Sequence, residues 1–383
     1  MGTLTKNFLI TFCVLLLLTS CHKTIPPEIT NIESLLKAGD LTKAEEAYDR
    51  LPEKLAKKNR RLLYELGESY LKSSLNRSEP NLRFHAMASF SAIKDEKYLD
   101  LFRKGLKDDF YKVQATAGEA MGELQDDGYK ETFYGFLEPT NKEEVRYLAA
   151  AVLLKYGDLK GLPVLLEILT KGSDIQYRQR SAQVMGQYGT KDEKSIGALK
   201  AASRTDPNFF VRIEALKALG LQGEQKEALD GLTQLKGVGN PHVEIKALGT
   251  LAYFGDVQAA QELLTFFNNK DTLLRMEALV TVGDLGFEES YPLLFDVMNN
   301  LDIPSKIKAA GLLSHTGDPR YLPAMKKIFA IEDRMLRISL LQDIVPLATE
   351  EDAPFIKDLL PNTDPFVEIY AARALCLIYQ TYQ

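Results

Sequence analysis

The stretch "DPNFFVRIEALKALGLQGE", Asp206 to Glu224, decides the fold because it is one copy of a pattern written ten times. With Val211 as anchor, the equivalent positions are Leu82, Val113, Val145, Tyr177, Val211, Val243, Leu274, Ser305, Leu336 and Val367. They are spaced by 31, 32, 32, 34, 32, 31, 31, 31 and 31 residues. A period of this length held over ten units is the mark of a repeat architecture. The single 34 signals a two-residue excess, which setting "DPNFFVR" beside "DPFVE" assigns to Asn208 and one Phe.

Each unit has the same internal logic. Four residues after the anchor stands Ala86, Ala117, Ala149, Ala215, Ala247, Ala278, Ala309 or Ala371, with Ser181 and Leu340 in the other two units. Eight after it comes a larger apolar side chain, among them Met121, Leu153, Met185, Leu219, Leu251 and Leu313. Spacings of 0, +4 and +8 share one face of an α-helix. Asp206-Pro207, Asn240-Pro241 and Asp364-Pro365 read as caps followed by Pro at the first helical position. Gly157, Gly189, Gly223, Gly255, Gly286 and Gly317, twelve residues on, suit a left-handed helix end. A second amphipathic helix comes next, with Pro163, Pro292, Pro323 and Pro354 near its start.

Two antiparallel helices per unit, stacked unit on unit, predict an all-α fold: an α-α superhelix of about ten helical hairpins over residues 79–383. The pattern "VRxxAxxALGxxGD" resembles the HEAT-like repeats first described in phycobilisome lyases. Ahead of it, "LLKAGDLTKAEEAYDRL" and "LLYELGESYLKSS" resemble tetratricopeptide (TPR-like) helices over residues 29–78, with "SSLNRSEPN" as the joint.

The N-terminus reads differently. An apolar run from Phe8 to Leu18 is too short to span a bilayer and fits a secretory signal, residues 1–20. Leu18-Thr19-Ser20-Cys21 resembles a bacterial lipobox. That resemblance implies a lipoprotein diacylated on Cys21, tethered through residues 21–28, in the bacterial cell envelope. With His22 and not Asp after the Cys, the outer membrane is the expected location. Only Cys376 then remains as a free thiol, so no intrachain disulfide is expected. A net charge of −6, from 47 basic and 53 acidic residues interspersed, argues against a nucleic-acid partner.

Arg212 has counterparts in Arg83, Arg146, Arg178, Arg275 and Arg337. A residue repeated in this way is expected to be a strut, bonding carbonyls or the Asp of an adjacent turn such as Asp174, Asp271 or Asp333. The lyases attach bilins, and a related iron hydroxylase uses His-Glu pairs. This chain has no His-Glu pair, and His85, His242 and His315 occupy different repeat positions. No phosphate loop, dinucleotide fingerprint, zinc spacing or nucleophile elbow occurs. The residue patterns therefore predict no catalytic residue, no metal, no cofactor and no enzyme. The alternative is an enzyme or cofactor-attachment factor of the lyase kind.

The exposed row three after the anchor, Arg180, Glu214, Lys246, Glu277 and Lys308, alternates in sign. It is expected to pair along itself, each pair contributing at most about 1 kcal/mol. Nearby positions hold Lys217, Tyr253, Asp284 and His315. This is the composition of a protein- or peptide-binding groove and equally of plain solvated surface. The last helix carries Tyr370, Leu377 and Tyr379 where a terminal repeat is normally polar. Those three are expected to dock a partner protein or a second copy of the chain. The function expected from the residues is thus a membrane-anchored, protein-binding scaffold or adaptor.

Overall fold

A computed structural model describes residues 25–380; the signal segment and Cys21 lie outside the described residues. Every regular element in that range is a helix. Four helices lead: α1 (Pro27–Ala38), α2 (Leu41–Asp49), α3 (Glu53–Lys58) and α4 (Arg61–Ser74). Then come α5 (Pro80–Ile93), α6 (Leu99–Gly105), α7 (Tyr111–Glu123), α8 (Lys130–Phe136), α9 (Glu143–Lys155) and α10 (Leu162–Lys171). The middle holds α11 (Ile175–Tyr188), α12 (Glu193–Thr205), α13 (Phe209–Leu221), α14 (Gln225–Lys236), α15 (Pro241–Tyr253) and α16 (Val257–Thr265). The end holds α17 (Thr272–Asp284), α18 (Tyr291–Asn300), α19 (Ile303–Ser314), α20 (Leu322–Ile328), α21 (Arg334–Ile344), α22 (Ala353–Lys357) and α23 (Pro365–Tyr379).

The odd-numbered helices from α5 to α23 carry the repeat anchors and pack side by side. The even-numbered helices lie in a second layer, each packed on the inner helices beside it, and only α10 and α12 pack appreciably on each other. In a curved double layer the closely spaced sheet of helices is the inner one, so the odd helices form the inner wall. The alanines four after each anchor permit that spacing, and all eight are fully buried. Side-chain carboxylates or amides start the inner helices: Asp174, Asn208, Asn240, Asp271, Asp302, Asp333 and Asp364 each accept a backbone N–H of the first turn. At the other end Gly157, Gly223, Gly255, Gly286 and Gly317 take positive φ, where a Cβ would be strained.

The solenoid closes on itself. Helix α23 packs against α21 on one side and against α5 on the other. Among the described residues no second helix follows α23, and α4 takes the outer-layer place beside it, wedged between α23 and α5. The seam is sealed by apolar packing of Tyr64, Leu71, Phe90, Leu375 and Tyr379 in one continuous core. Polar contacts join in: His85 Nδ1 and the Tyr370 hydroxyl lie 2.9 Å apart, and Gln380 Nε2 donates to the Ile93 carbonyl at 2.8 Å. Helices α1 and α2 brace α4 from outside, and Asp49 of α2 accepts from Lys357 of α22.

Three expectations change. Tyr370 and Tyr379 are buried, and the partly buried Leu377 packs against the same core, so the seam takes up the side chains expected to dock a partner or second copy. The reason is the early helix α4, whose apolar face the repeat pattern alone does not pair with the last unit. The boundary after residue 78 therefore separates α4 from the unit it completes. The two-residue excess also moves. Asn208 caps α13 three residues before the anchor, as Asn240 and Asp271 do for theirs, so that turn is regular. The extra residues are Thr190 and Lys191, because Asp192 caps α12 fifteen residues after Tyr177 whereas Asp158 stands thirteen after Val145. Gly189 accordingly lacks the left-handed conformation of its counterparts, at φ −73°. Gln222 fills the widened turn, donating to the carbonyls of Met185 at 3.0 Å and Gly186 at 2.9 Å.

Candidate functional site on the inner wall

The repeated arginines lie at the back of the wall. Arg178 donates through Nε and Nη2 to both carboxylate oxygens of Asp206, at 2.9 and 3.2 Å, and through Nη1 to the Gly172 carbonyl. Arg83 grips Asp108 in the same two-pronged way, 2.8 Å for each bond, and Arg146 grips Glu167. Arg212, Arg275 and Arg337 bond carbonyls of the preceding outer segment: Ser203, Asn269 and Phe329. The carbonyl contacts tie an inner helix to the segment before it, and the carboxylate contacts of Arg83, Arg146 and Arg178 tie it to the outer helix or turn that follows. The expected partners Asp174, Asp271 and Asp333 are instead occupied as caps of their own helices. Asp206 is likewise a receptor for Arg178 and not the N-cap of α13, a place taken by Asn208.

The wall itself is polar. Lys155 pairs with Glu119 at 2.8 Å, Lys246 with Glu214 at 3.8 Å, and His242 Nδ1 lies 2.6 Å from Glu277. Arg180 and Lys308 make no ion pair among the described residues, so the alternating row pairs only in part. Tyr253 is half exposed, with the Lys217 ammonium 4.4 Å above its ring, and Asp284 and His315 are exposed. These four positions lie in the inner rows of α13, α15, α17 and α19, but the structure does not bring them to one point. A recess of about 340 Å³ opens among Gln176, Gln179, Arg180 and Gln183 of α11 and Glu214 of α13. Primary amides offer both a donor and an acceptor, the pairing an extended peptide backbone asks for.

Two buried acids escape the repeat pattern. Asp343 of α21 lies over Gly311 of α19, where a Cβ on the glycine would stand 3.7 Å from Oδ1. Burial pushes its carboxyl up to about 6, against a Ser339 hydrogen bond that pulls the other way. Glu45 of α2 is pushed up to about 7, again chiefly by burial, opposed by Lys357 and helped by Asp49. A tyrosine pair at the seam, Tyr64 and Tyr98, is joined hydroxyl to hydroxyl, with Tyr98 donating onward to Glu68 at 2.7 Å. None of these has a repeat equivalent of the same type, and residues that do not recur leave no signal in a periodicity.

The histidines do not converge. His85, His242 and His315 lie on α5, α15 and α19, far apart around the wall. Among the described residues no three His, Cys, Asp or Glu side chains gather in a way that could hold a metal ion. The residues present do not fit the iron site of the His-Glu type.

The sequence model for HEAT repeats matches residues 99–186 and 162–237. Residues 99–237 carry HEAT repeats. A deoxyhypusine hydroxylase of Candida albicans is 22% identical over 243 residues, which is 61% of this chain and 74% of that protein. Among solved structures, human deoxyhypusine hydroxylase in complex with glycerol is 16% identical, with a TM-score of 0.38, covering 67% of this chain and 97% of that one. The CpcE–CpcF complex of phycocyanin lyase from Nostoc is 16% identical with a TM-score of 0.36, covering 64% and 94%. The similarity to the Candida protein corrects the expectation of a chain that is not an enzyme. That expectation rested on repeat spacing, in which a site assembled from different units would leave no pattern of its own.

Proposed function

We propose that the chain is an enzyme or cofactor-attachment factor built on HEAT-like repeats, whose ring holds an extended segment of the protein it modifies. The observation that carries the class of reading is the curated hydroxylase similar to it over most of that protein's length. Support for a protein substrate comes from the wall: the glutamine-lined recess of α11, continued by Lys217 stacked on Tyr253 two helices further on. Because the residues do not fit an iron site, the proposed chemistry is group transfer or attachment rather than iron-dependent hydroxylation. The lipobox-like Leu18–Cys21 supports a location at the envelope membrane, with lipid on Cys21 and the outer membrane as its site.

The scaffold reading uses the same wall and differs only in whether a chemical step succeeds binding. One experiment separates them. The chain is crosslinked in intact cells, the partner identified, and that partner's intact mass compared between cells with and without the chain. A mass increment present only with the chain supports the proposal; an unchanged mass with the partner still captured refutes it in favour of the scaffold.

A further inference from the structure

Beside the closure the inner wall holds a cation that has no anion among the described residues. Arg373 lies on α23 six residues after the anchor, in the inner row that also contains Lys217. It is only partly exposed, and among the described residues it makes no ion pair and no hydrogen bond; the Tyr370 ring lies 5.8 Å from its Cζ. Burial draws the guanidinium below its ordinary value, the direction expected of a cation removed from water with nothing opposite it. Its surroundings explain the missing partner. The same row offers Ala88 on α5 and Gln342 on α21, the two inner helices packed against α23. Asp343, also on α21, leans the other way onto Gly311 and accepts from Ser339. Glu368 of α23 is five residues back, accepting from the Asn362 N–H and facing Arg77.

Around Arg373 the wall is aromatic. His85 meets Tyr370 by hydrogen bond, and its ring packs edge-on against Phe366 at 5.2 Å and beside Phe84 at 5.0 Å. On the same wall Lys155, Lys246 and His242 each have a carboxylate, whereas Arg373, like Arg180 and Lys308, has none among the described residues. We infer that Arg373, with Tyr370 beside it and His85 bonded to that tyrosine, is a binding site for a single carboxylate carried on an apolar or aromatic group. A planar guanidinium matches a carboxylate with two parallel hydrogen bonds. His85 is drawn toward its neutral form by burial, so the site carries one positive charge and suits a monoanion better than a phosphate dianion. The inference goes beyond the proposed function and does not depend on it.

The test uses the full chain and defined probes: benzoate, inorganic phosphate, the tripeptide Gly-Gly-Phe and its C-terminal amide, each titrated while the Arg373 Nε–H resonance is followed. Benzoate is expected to shift that resonance and phosphate to leave it in place. Arg373→Gln should weaken benzoate binding by about tenfold to a hundredfold, the loss of a charge-assisted pair. Arg180→Gln, on the same wall, should leave it unchanged. Tighter binding of Gly-Gly-Phe than of its amide and of benzoate would assign the carboxylate to a peptide terminus; equal binding of benzoate and tripeptide would assign it to a small molecule. If the Gln variant does not fold, the wild-type resonance still decides. A resonance unmoved by every carboxylate, or moved equally by phosphate, overturns the inference and leaves a hydrated arginine.

Discussion

Gly67 of α4 and Ala372 of α23 approach so closely that a Cβ on the glycine would stand 2.7 Å from the Ala372 carbonyl oxygen and 3.1 Å from Cys376 Sγ. The helix that completes the last unit and the final helix of the chain thus touch backbone to backbone. A side chain at position 67 has to push the seam apart. Gly67→Val is expected to destabilise the closure by about 1–3 kcal/mol. Cys376 reports on it directly, because its thiol is fully buried and burial raises its pKa far above the ordinary range. Thiol reagents should label the wild type slowly and the variant many times faster at the same temperature; equal labelling rates would show that the seam does not depend on this approach.

Removing the leading helices tests closure more coarsely. A chain beginning at residue 79 lacks α1 to α4 and exposes the face of α23 that holds Leu375, Cys376 and Tyr379. Such an apolar face seeks another cover. Light scattering is expected to find the truncated chain dimeric or larger at concentrations where the full chain keeps its own size.

The repeated arginines should not be equal. Arg178 and Asp206 are both nearly buried and bonded at two points, with side chains 11% and 6% exposed. Arg178→Ala leaves a buried carboxylate unpaired and is expected to cost about 3 kcal/mol. Arg212 bonds one carbonyl, so Arg212→Ala is expected to cost about 1 kcal/mol. Urea unfolding of the two variants, run side by side, gives the ranking; the reverse order would contradict the strut geometry.

Two acids whose carboxyls burial pushes furthest up should make stability fall as pH rises toward neutrality. Glu45 and Asp343 have folded-state values of about 7 and about 6, above their ordinary 4.5 and 3.8. The folded chain holds these protons more tightly than the unfolded chain, so their contribution is complete below the ordinary values and is lost as pH climbs through the folded ones. Lys357 does not prevent this at Glu45. Its ammonium is shared among Asp49, Glu45 and Asp358, with Asp49 the nearest of the three. The paired variant Glu45→Gln, Asp343→Asn should flatten the thermal midpoint between about pH 4.5 and pH 7; an undiminished slope would place the linkage elsewhere.

The inner wall was legible in the residues and the closure was not. Anchor spacing located each inner helix because an apolar stripe with alanine at its centre repeats as often as the packing does. The same spacing marked Lys217, Tyr253, Asp284 and His315 as inner-row positions, while saying nothing of which face each other. Asp343, Glu45 and the Tyr64–Tyr98 pair escaped because each occurs once.

What the sequence by itself determined is local: helix starts capped by Asp or Asn, helix ends turned by glycine, and the alternation of two helices every 31 or 32 residues. Those features depend on a few bonds within one unit. Tertiary structure alone decided that the ends meet, since closure is the sum of small rotations over ten units and a periodic pattern does not state its own curvature. It decided that α4 packs beside the last inner helix, that Tyr370 and Tyr379 are buried at the seam, and that no carboxylate among the described residues pairs with Arg373.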